Sequence, residues 1–191
     1  MKYVSPVIQD AISGVGVFVG NHFITAGHVV ALCPNGIIYH NWIRYELSKA
    51  KQLCCFNVND ADDKKLDGLD IAVFEFEGIN SPIRCADFVP QKGSELSCIT
   101  IAEPREEIPD LLSPDKARNP EPNIIKSKGK FMAEEGNFFG CDMDVHLFPG
   151  SSGSPLFFGD KLVGILTFGS KNDNIRVFQK ATSFRKYIQE Q

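Results

Sequence analysis

Short segments of alternating apolar residues, each closed by glycine, asparagine or proline, most restrict what this chain can fold into. "GVGVFVG" (14–20), "HFITAG" (22–27), "GIIYHNWIRYEL" (36–47), "LDIAVFEFE" (69–77), "ELSCITIAE" (95–103), "KLVGILTFG" (161–169) and "NIRVFQKA" (174–181) are rich in Val, Ile and Phe. They read as strands. Helical periodicity is convincing only in "TSFRKYIQEQ", where Thr182 or Ser183 can cap and Phe184, Tyr187 and Ile188 share a face; a helix is expected over 182–190. Many short strands separated by turn signals mean a β-sandwich or a β-barrel. The segment "EPREEIPDLLSPDKARNPEPNIIKSKGK" (103–130) interrupts the pattern with five prolines and mixed charge, and reads as an exposed loop in the second half. The stretch from Asn80 to Gly93 is the expected crossing between two halves, dividing the chain into 1–82 and 83–191.

Composition narrows the partners. A chain of 191 residues, 43% hydrophobic and 23% charged, can bury a core without a metal or a disulfide staple. Its formal net charge of −4 and the lack of a basic block argue against nucleic acid or an anionic membrane as a partner. The longest strongly apolar stretch, 11–20, is about half a membrane span and carries three glycines. "MKYVSPVIQD" has no apolar core followed by a small-residue cleavage site, so the mature chain is expected to start near Met1 and to stay in a cytosol. The six cysteines (Cys33, Cys54, Cys55, Cys85, Cys98, Cys141) show no CxxC spacing; they read as buried, reduced thiols, and no metal or organic cofactor is expected.

"Pro149-Gly150-Ser151-Ser152-Gly153-Ser154-Pro155" sets three serines among glycines between apolar runs. A serine hydroxyl needs a base, a group to orient that base, and donors for the oxyanion. Ser152 fits best, because Gly150 can offer an N–H two residues upstream, Ser152 its own, and Gly153 the room to turn. Ser151 and Ser154 then read as turn residues. A base stands ready in "Ile24-Thr25-Ala26-Gly27-His28-Val29-Val30", where two small residues precede a histidine at a strand end. In "Leu69-Asp70-Ile71-Ala72-Val73-Phe74" an acid opens an apolar strand, and a carboxylate buried there must be paired.

In this order, "TAGHVV", "LDIAV" and "GSSGSPL" resemble the three signature segments of the chymotrypsin/trypsin-like serine proteases, over nearly the whole chain. The resemblance implies an all-β fold of two antiparallel six-stranded barrels with a short C-terminal helix, the active site lying between them. It implies His28 as general base, Asp70 as its orienting acid and Ser152 as nucleophile, with the N–H groups of Gly150 and Ser152 as oxyanion hole. It further implies that Leu166, Thr167, Phe168 and Gly169 pair with the substrate backbone and that His146 and Leu147 lie by the specificity pocket. Polypeptide is then the substrate. This chain departs from secreted members in carrying Ser151 where they have an aspartate before the nucleophile, and in having no cysteine directly after His28. Zymogen activation through that aspartate is therefore disfavoured, and the pattern is closer to disulfide-free bacterial or viral members. His146 is no acid, which disfavours selection of Lys or Arg by that route. Leu166 stands near where glutamate-selective members carry a histidine. His22 and His40 read as structural.

Rival readings fare worse. An α/β-hydrolase needs GxSxG and a later histidine, but Ser154 replaces the second glycine and no histidine follows Ser152. SxxK occurs four times without companion motifs and so carries no weight. A catalytically silent binding module of the same fold is the alternative from another class, although all three triad residues are present. The Pro-rich stretch leaves room for an activating protein partner, and the chain for release from a larger polyprotein.

Overall fold

The computed structural model describes residues 4–9, 11–41, 43–57, 68–101, 124–144, 150–169 and 173–188. Alternation along the first half produces β1 (Ser5–Gln9), β2 (Ala11–Val19), β3 (His22–Thr25), β4 (Ile37–His40), β5 (Ile43–Glu46), β6 (Lys51–Phe56) and β7 (Ile71–Glu75), with a one-and-a-half-turn helix α1 (Gly27–Leu32) after β3. They form one antiparallel, barrel-like sheet in the order β5-β4-β1-β2-β3-β7-β6. The second half contributes β8 (Arg84–Cys85), β9 (Glu95–Ile101), β10 (Ile124–Glu135), β11 (Phe138–Met143), β12 (Pro155–Phe158), β13 (Lys161–Gly169) and β14 (Ile175–Lys180), then α2 (Ala181–Phe184). Here β12 pairs with both β9 and β13, so six strands close into a ring and β8 adds in parallel to the start of β13. The protein is all-β with two barrel-like sheets.

Three expectations change in detail. The segment 36–47 is a hairpin rather than one strand: Asn41 takes a positive φ of 48°, folding β4 back on β5 and giving the first sheet a seventh strand. Residues 124–130, expected in a loop, are strand; the small inward residues Ser127 and Gly129 alternate with outward lysines and hide the two-residue period. Residues 103–123 of that expected loop lie outside the described residues. The C-terminal helix, expected over 182–190, is a single turn, α2, followed by a 3-10 turn over Arg185–Tyr187, with the Ser183 hydroxyl donating back to the Lys180 carbonyl (2.7 Å); residues 189–190 lie outside the described residues. Phe184 and Ile188 nevertheless point inward, 0% and 6% exposed.

Each barrel has its own interior. Phe18, Phe23, Ile38, Phe74 and Phe76 fill the first, and Phe131, Phe139, Met143, Leu166 and Phe178 the second. The opposite face of β2, β3 and β7 is also apolar: Val17, Val19, Ile24, Ile71 and Val73 meet Phe157, Leu162, Ile165, Phe184 and Ile188 in a cluster that joins the sheets. Strands covered on both faces explain the near-continuous apolar run "VGVFV". Glycine is required at Gly16, where a Cβ would lie 2.1 Å from the Phe23 ring. No helix among the described residues is long and apolar enough to cross a membrane.

The joining cluster should dominate stability. Phe184→Ala, which empties a fully buried site between the sheets, is expected to cost about 3–5 kcal/mol, read as a lowered denaturation midpoint in chemical unfolding.

Candidate active site

Strand register brings the histidine and the acid together. Thr25 at the end of β3 pairs with Ala72 near the start of β7, so the residues just beyond each, His28 and Asp70, meet although 42 positions separate them. Ala26 is extended and opens α1, whose first turn carries His28. Gly27 admits no side chain: a Cβ there would stand 1.8 Å from the Phe56 carbonyl oxygen and 3.1 Å from Asp70 Oδ1. This backbone approach allows two bonds to the carboxylate. The main-chain N–H of His28 donates to Asp70 Oδ1 at 2.8 Å, and Nδ1 of its ring lies 2.7 Å from Oδ2. With Nδ1–H given to the acid, a neutral ring carries its lone pair on Nε2. Asp70 is buried and the His28 side chain is 30% exposed, so the acid is shielded and the imidazole can meet a ligand.

The second sheet fixes Asp70 from behind. Its main-chain N–H donates to Gln179 Oε1 (2.9 Å). Gln179 Nε2 in turn donates to the Asn137 carbonyl (3.0 Å) and to Ser183 Oγ (2.6 Å). Gln179 is fully buried on β14, so every bond it makes is protein-internal. Sequence reasoning passed it over. The available signal was an amide within the apolar run "RVFQKA", and only the fold shows what it holds.

The serine turn is fastened to both sheets. Val15 N–H on β2 donates to the Ser152 carbonyl (2.8 Å), while Gly153 N–H donates to Leu166 O (2.7 Å) and Leu166 N–H to Ser154 O (2.9 Å) on β13. Gly150 and Gly153 have φ of 99° and 88°, the region that favours glycine. A Cβ on Gly153 would also fall 1.8 Å from the Val15 carbonyl oxygen. Gly14, beside Val15, is bracketed by Val29 and Ser152: a Cβ there would lie 2.6 Å from the Val29 methyls and 3.0 Å from the Ser152 carbonyl oxygen. The serine turn and the helix bearing His28 thus flank the same glycine.

Environment separates the three serines. Ser154 is 0% exposed; its Oγ lies 2.7 Å from Thr100 Oγ1 and donates to the Ser151 carbonyl at 2.5 Å. Ser151 is buried, its Oγ without a hydrogen-bond partner. Ser152 alone of the three is half-exposed. The expected turn roles of Ser151 and Ser154 suit these surroundings.

Other residues fall variously. His146 and Leu147 lie outside the described residues. Thr167 Oγ1 donates to the Val177 carbonyl (3.0 Å), so its side chain is turned to the neighbouring strand. Phe168 is 45% exposed against Phe138, and Gly169 is crossed by the side chain of Arg176. His40 sits between Ser5 Oγ (2.9 Å) and Asn41 Nδ2 (3.1 Å) with its ring on Phe18, and burial lowers its pKa, favouring a neutral structural ring. All six cysteines are free. Burial pushes the Cys54 thiol up to about 11 and that of Cys141 to about 12, and raises Cys98 as well. Cys55 is raised by burial and then by the Asp70 carboxylate. None of these four is a ready thiolate at neutral pH.

The trypsin family model matches residues 7–188. The chain belongs to the trypsin family. Its trypsin-like fold recurs in solved structures. Mouse neuropsin, a serine protease expressed in the limbic system of the brain, superposes with a TM-score of 0.73 at 16% identity, covering 98% of this chain and 92% of its own. The serine endoprotease from Yersinia pestis gives 0.66 at 20% identity over 96% and 60%. A human pathogenic astrovirus serine protease gives 0.59 at 17% identity over 93% and 88%. No curated protein sequence matches significantly.

The serine environments make opposite predictions for two trypsin-like turn variants. Ser151→Ala removes an unsatisfied buried hydroxyl and should leave stability unchanged or raised. Ser154→Ala strands its partners and should lower stability by about 1–2 kcal/mol. Thermal melts of the two variants check this.

Proposed function

We propose that the protein is a serine endopeptidase that cleaves peptide bonds through a His28–Asp70–Ser152 triad and an acyl-enzyme intermediate. The observation that carries this reading is the buried Asp70 carboxylate, bonded to both the main-chain N–H and the ring of His28, beside a serine turn fastened to the same corner of the first sheet.

Ser152 Oγ attacks the substrate carbonyl while His28 Nε2 takes its proton. Asp70 stabilises the resulting imidazolium and keeps the ring's other nitrogen occupied. The N–H groups of Gly150 and Ser152 receive the oxyanion. His28 then protonates the leaving amine, and water, activated by the same ring, hydrolyses the ester. The substrate backbone lies along Leu166–Gly169, where Thr167 contributes through its main chain because its hydroxyl is engaged. His146 and Leu147 belong to the pocket wall in this reading.

We assign the two units to 1–82 and 83–191. Two contacts support this boundary: Ser81 bridges to Gly20 of the first half, whereas β8, starting at Arg84, pairs with β13 of the second. Polypeptide is the partner this activity requires, and a cytosolic site of action suits the free thiols.

A fluorophosphonate probe should label the wild type on Ser152 and fail on His28→Ala. Ser152→Ala should keep the wild-type melt and lose about 10⁴- to 10⁶-fold in kcat on a cleavable peptide. Comparable cleavage by Ser152→Ala in a purified assay would overturn the triad. Activity of the wild type should rise with pH as the imidazole loses its proton, because only the neutral ring accepts the serine's. A rate that falls over that range would contradict His28 as base.

A further inference from the structure

Gln179 breaks the pattern of the surface it sits on. Its ladder partners are Phe138 and Ile165, so the three share a face of the sheet, and Ile165 belongs to the apolar cluster that joins the two sheets. An amide 0% exposed in that setting is costly to bury unless its polar atoms are bonded. Its acceptor and both of its donors are used: Oε1 accepts from Asp70 N–H, and Nε2 donates to the Asn137 carbonyl and to Ser183 Oγ. Packing alone would have been met by an apolar side chain, so the amide is there for what it bonds.

Its partners are tied down in turn. The Asn137 carbonyl also accepts from Lys180 N–H (2.9 Å), and the Ser183 hydroxyl donates to the Lys180 carbonyl (2.7 Å). The Lys180 ammonium pairs with Glu134 and donates to the Gly136 carbonyl, next to Asn137. Gly136, with a φ of 52°, turns β10 into β11 and so presents Asn137 at the hairpin end. From there Asn137 Nδ2 donates to the Gly68 carbonyl (3.3 Å) in the first half of the chain. Leu69, between Gly68 and Asp70, packs against the joining cluster. The second half therefore grips three consecutive residues, Gly68, Leu69 and Asp70, immediately before β7.

This grip is on the main chain, whereas the carboxylate faces His28, Oδ1 toward its N–H and Oδ2 toward Nδ1. A turn of the backbone at Asp70 would swing the acid off the ring; bonds at Gly68 C=O and at Asp70 N–H remove that freedom. We propose that Gln179 and Asn137 are positioning residues of the reaction, holding Asp70 in line with His28 without touching the substrate. This inference rests on the endopeptidase reading and deepens it. A carboxylate drawn away from Nδ1 stabilises the imidazolium less, so the ring loses its proton at lower pH and the serine's proton is taken less readily. Among the described residues the titratable groups that meet Asp70 are His28 and the Cys55 thiol, and Lys180, behind it, is engaged by Glu134.

The test compares the wild type with Gln179→Met, Asn137→Ala and, as a control in the interior of the second barrel, Phe131→Leu. Each is assayed for kcat and KM on a cleavable peptide across pH, well below its melting temperature. The His28 ring is titrated in parallel by NMR on histidine-labelled protein, its signals assigned by their absence from His28→Ala. Gln179→Met should lose about 10- to 100-fold in kcat with KM within about twofold of the wild type. Its pH profile and the His28 titration should both move to lower pH. Asn137→Ala, which keeps the carbonyl that Gln179 bonds, should shift both in the same direction by less. Phe131→Leu should melt lower and keep the wild-type kcat and profile. A wild-type kcat and an unmoved His28 titration in Gln179→Met overturn the inference, as does an equal loss of kcat in Phe131→Leu. If Gln179→Met does not fold, Asn137→Ala against Phe131→Leu decides the point by the same readouts. A wild type that neither takes a fluorophosphonate label nor cleaves peptide overturns the endopeptidase reading instead. The His28 titration then still decides whether Gln179 and Asn137 hold the acid to the ring.

Discussion

The Asp70 carboxylate is the group around which the site is built. A buried ionised acid is costly in a low-dielectric interior unless donors surround it. Here the donors are the main chain and ring of His28, which explains why the residues before His28 are small. Gly27 lets the first turn of α1 come close enough to the Phe56 carbonyl and to Asp70 for both bonds to form. The need to satisfy one charge therefore dictates a glycine, a helix start and a ring orientation together.

That arrangement depends on how the two sheets are held. Gln179 reaches from β14 to the main chain of Asp70, and the apolar cluster of β2, β3 and β7 against β12, β13 and α2 sets the distance between the sheets. The serine turn bonds to β2 on one side and β13 on the other. A site at the junction of two packed sheets thus needs few residues of its own, because it is built on strands whose positions both cores determine.

The legibility of the elements followed their burial. Segments buried on both faces, such as 14–19 and 162–167, were readable because runs of Val, Ile, Leu and Phe leave little else to form. β1, β6, β11 and β12 were not read, since Pro6, the polar start of "KQLCCF", Gly140 and the brevity of "PLFF" weaken the local pattern. β10 was lost among lysines and small inward residues, and was merged with the proline-rich stretch before it. The C-terminal helix reads longer in the sequence than the single turn α2, because amphipathic spacing alone does not separate an α-turn from the 3-10 turn that follows it.

The order histidine, acid, serine, each in a segment of small or apolar residues, was determined by the sequence alone, because the proposed triad chemistry needs those functional groups and the glycines that let backbones approach. Which of three serines is open to a ligand, which amide braces the acid, and where a buried arginine points were decided by tertiary structure. These depend on solvent access and on partners up to 109 positions away, and neither is encoded in any local run of residues.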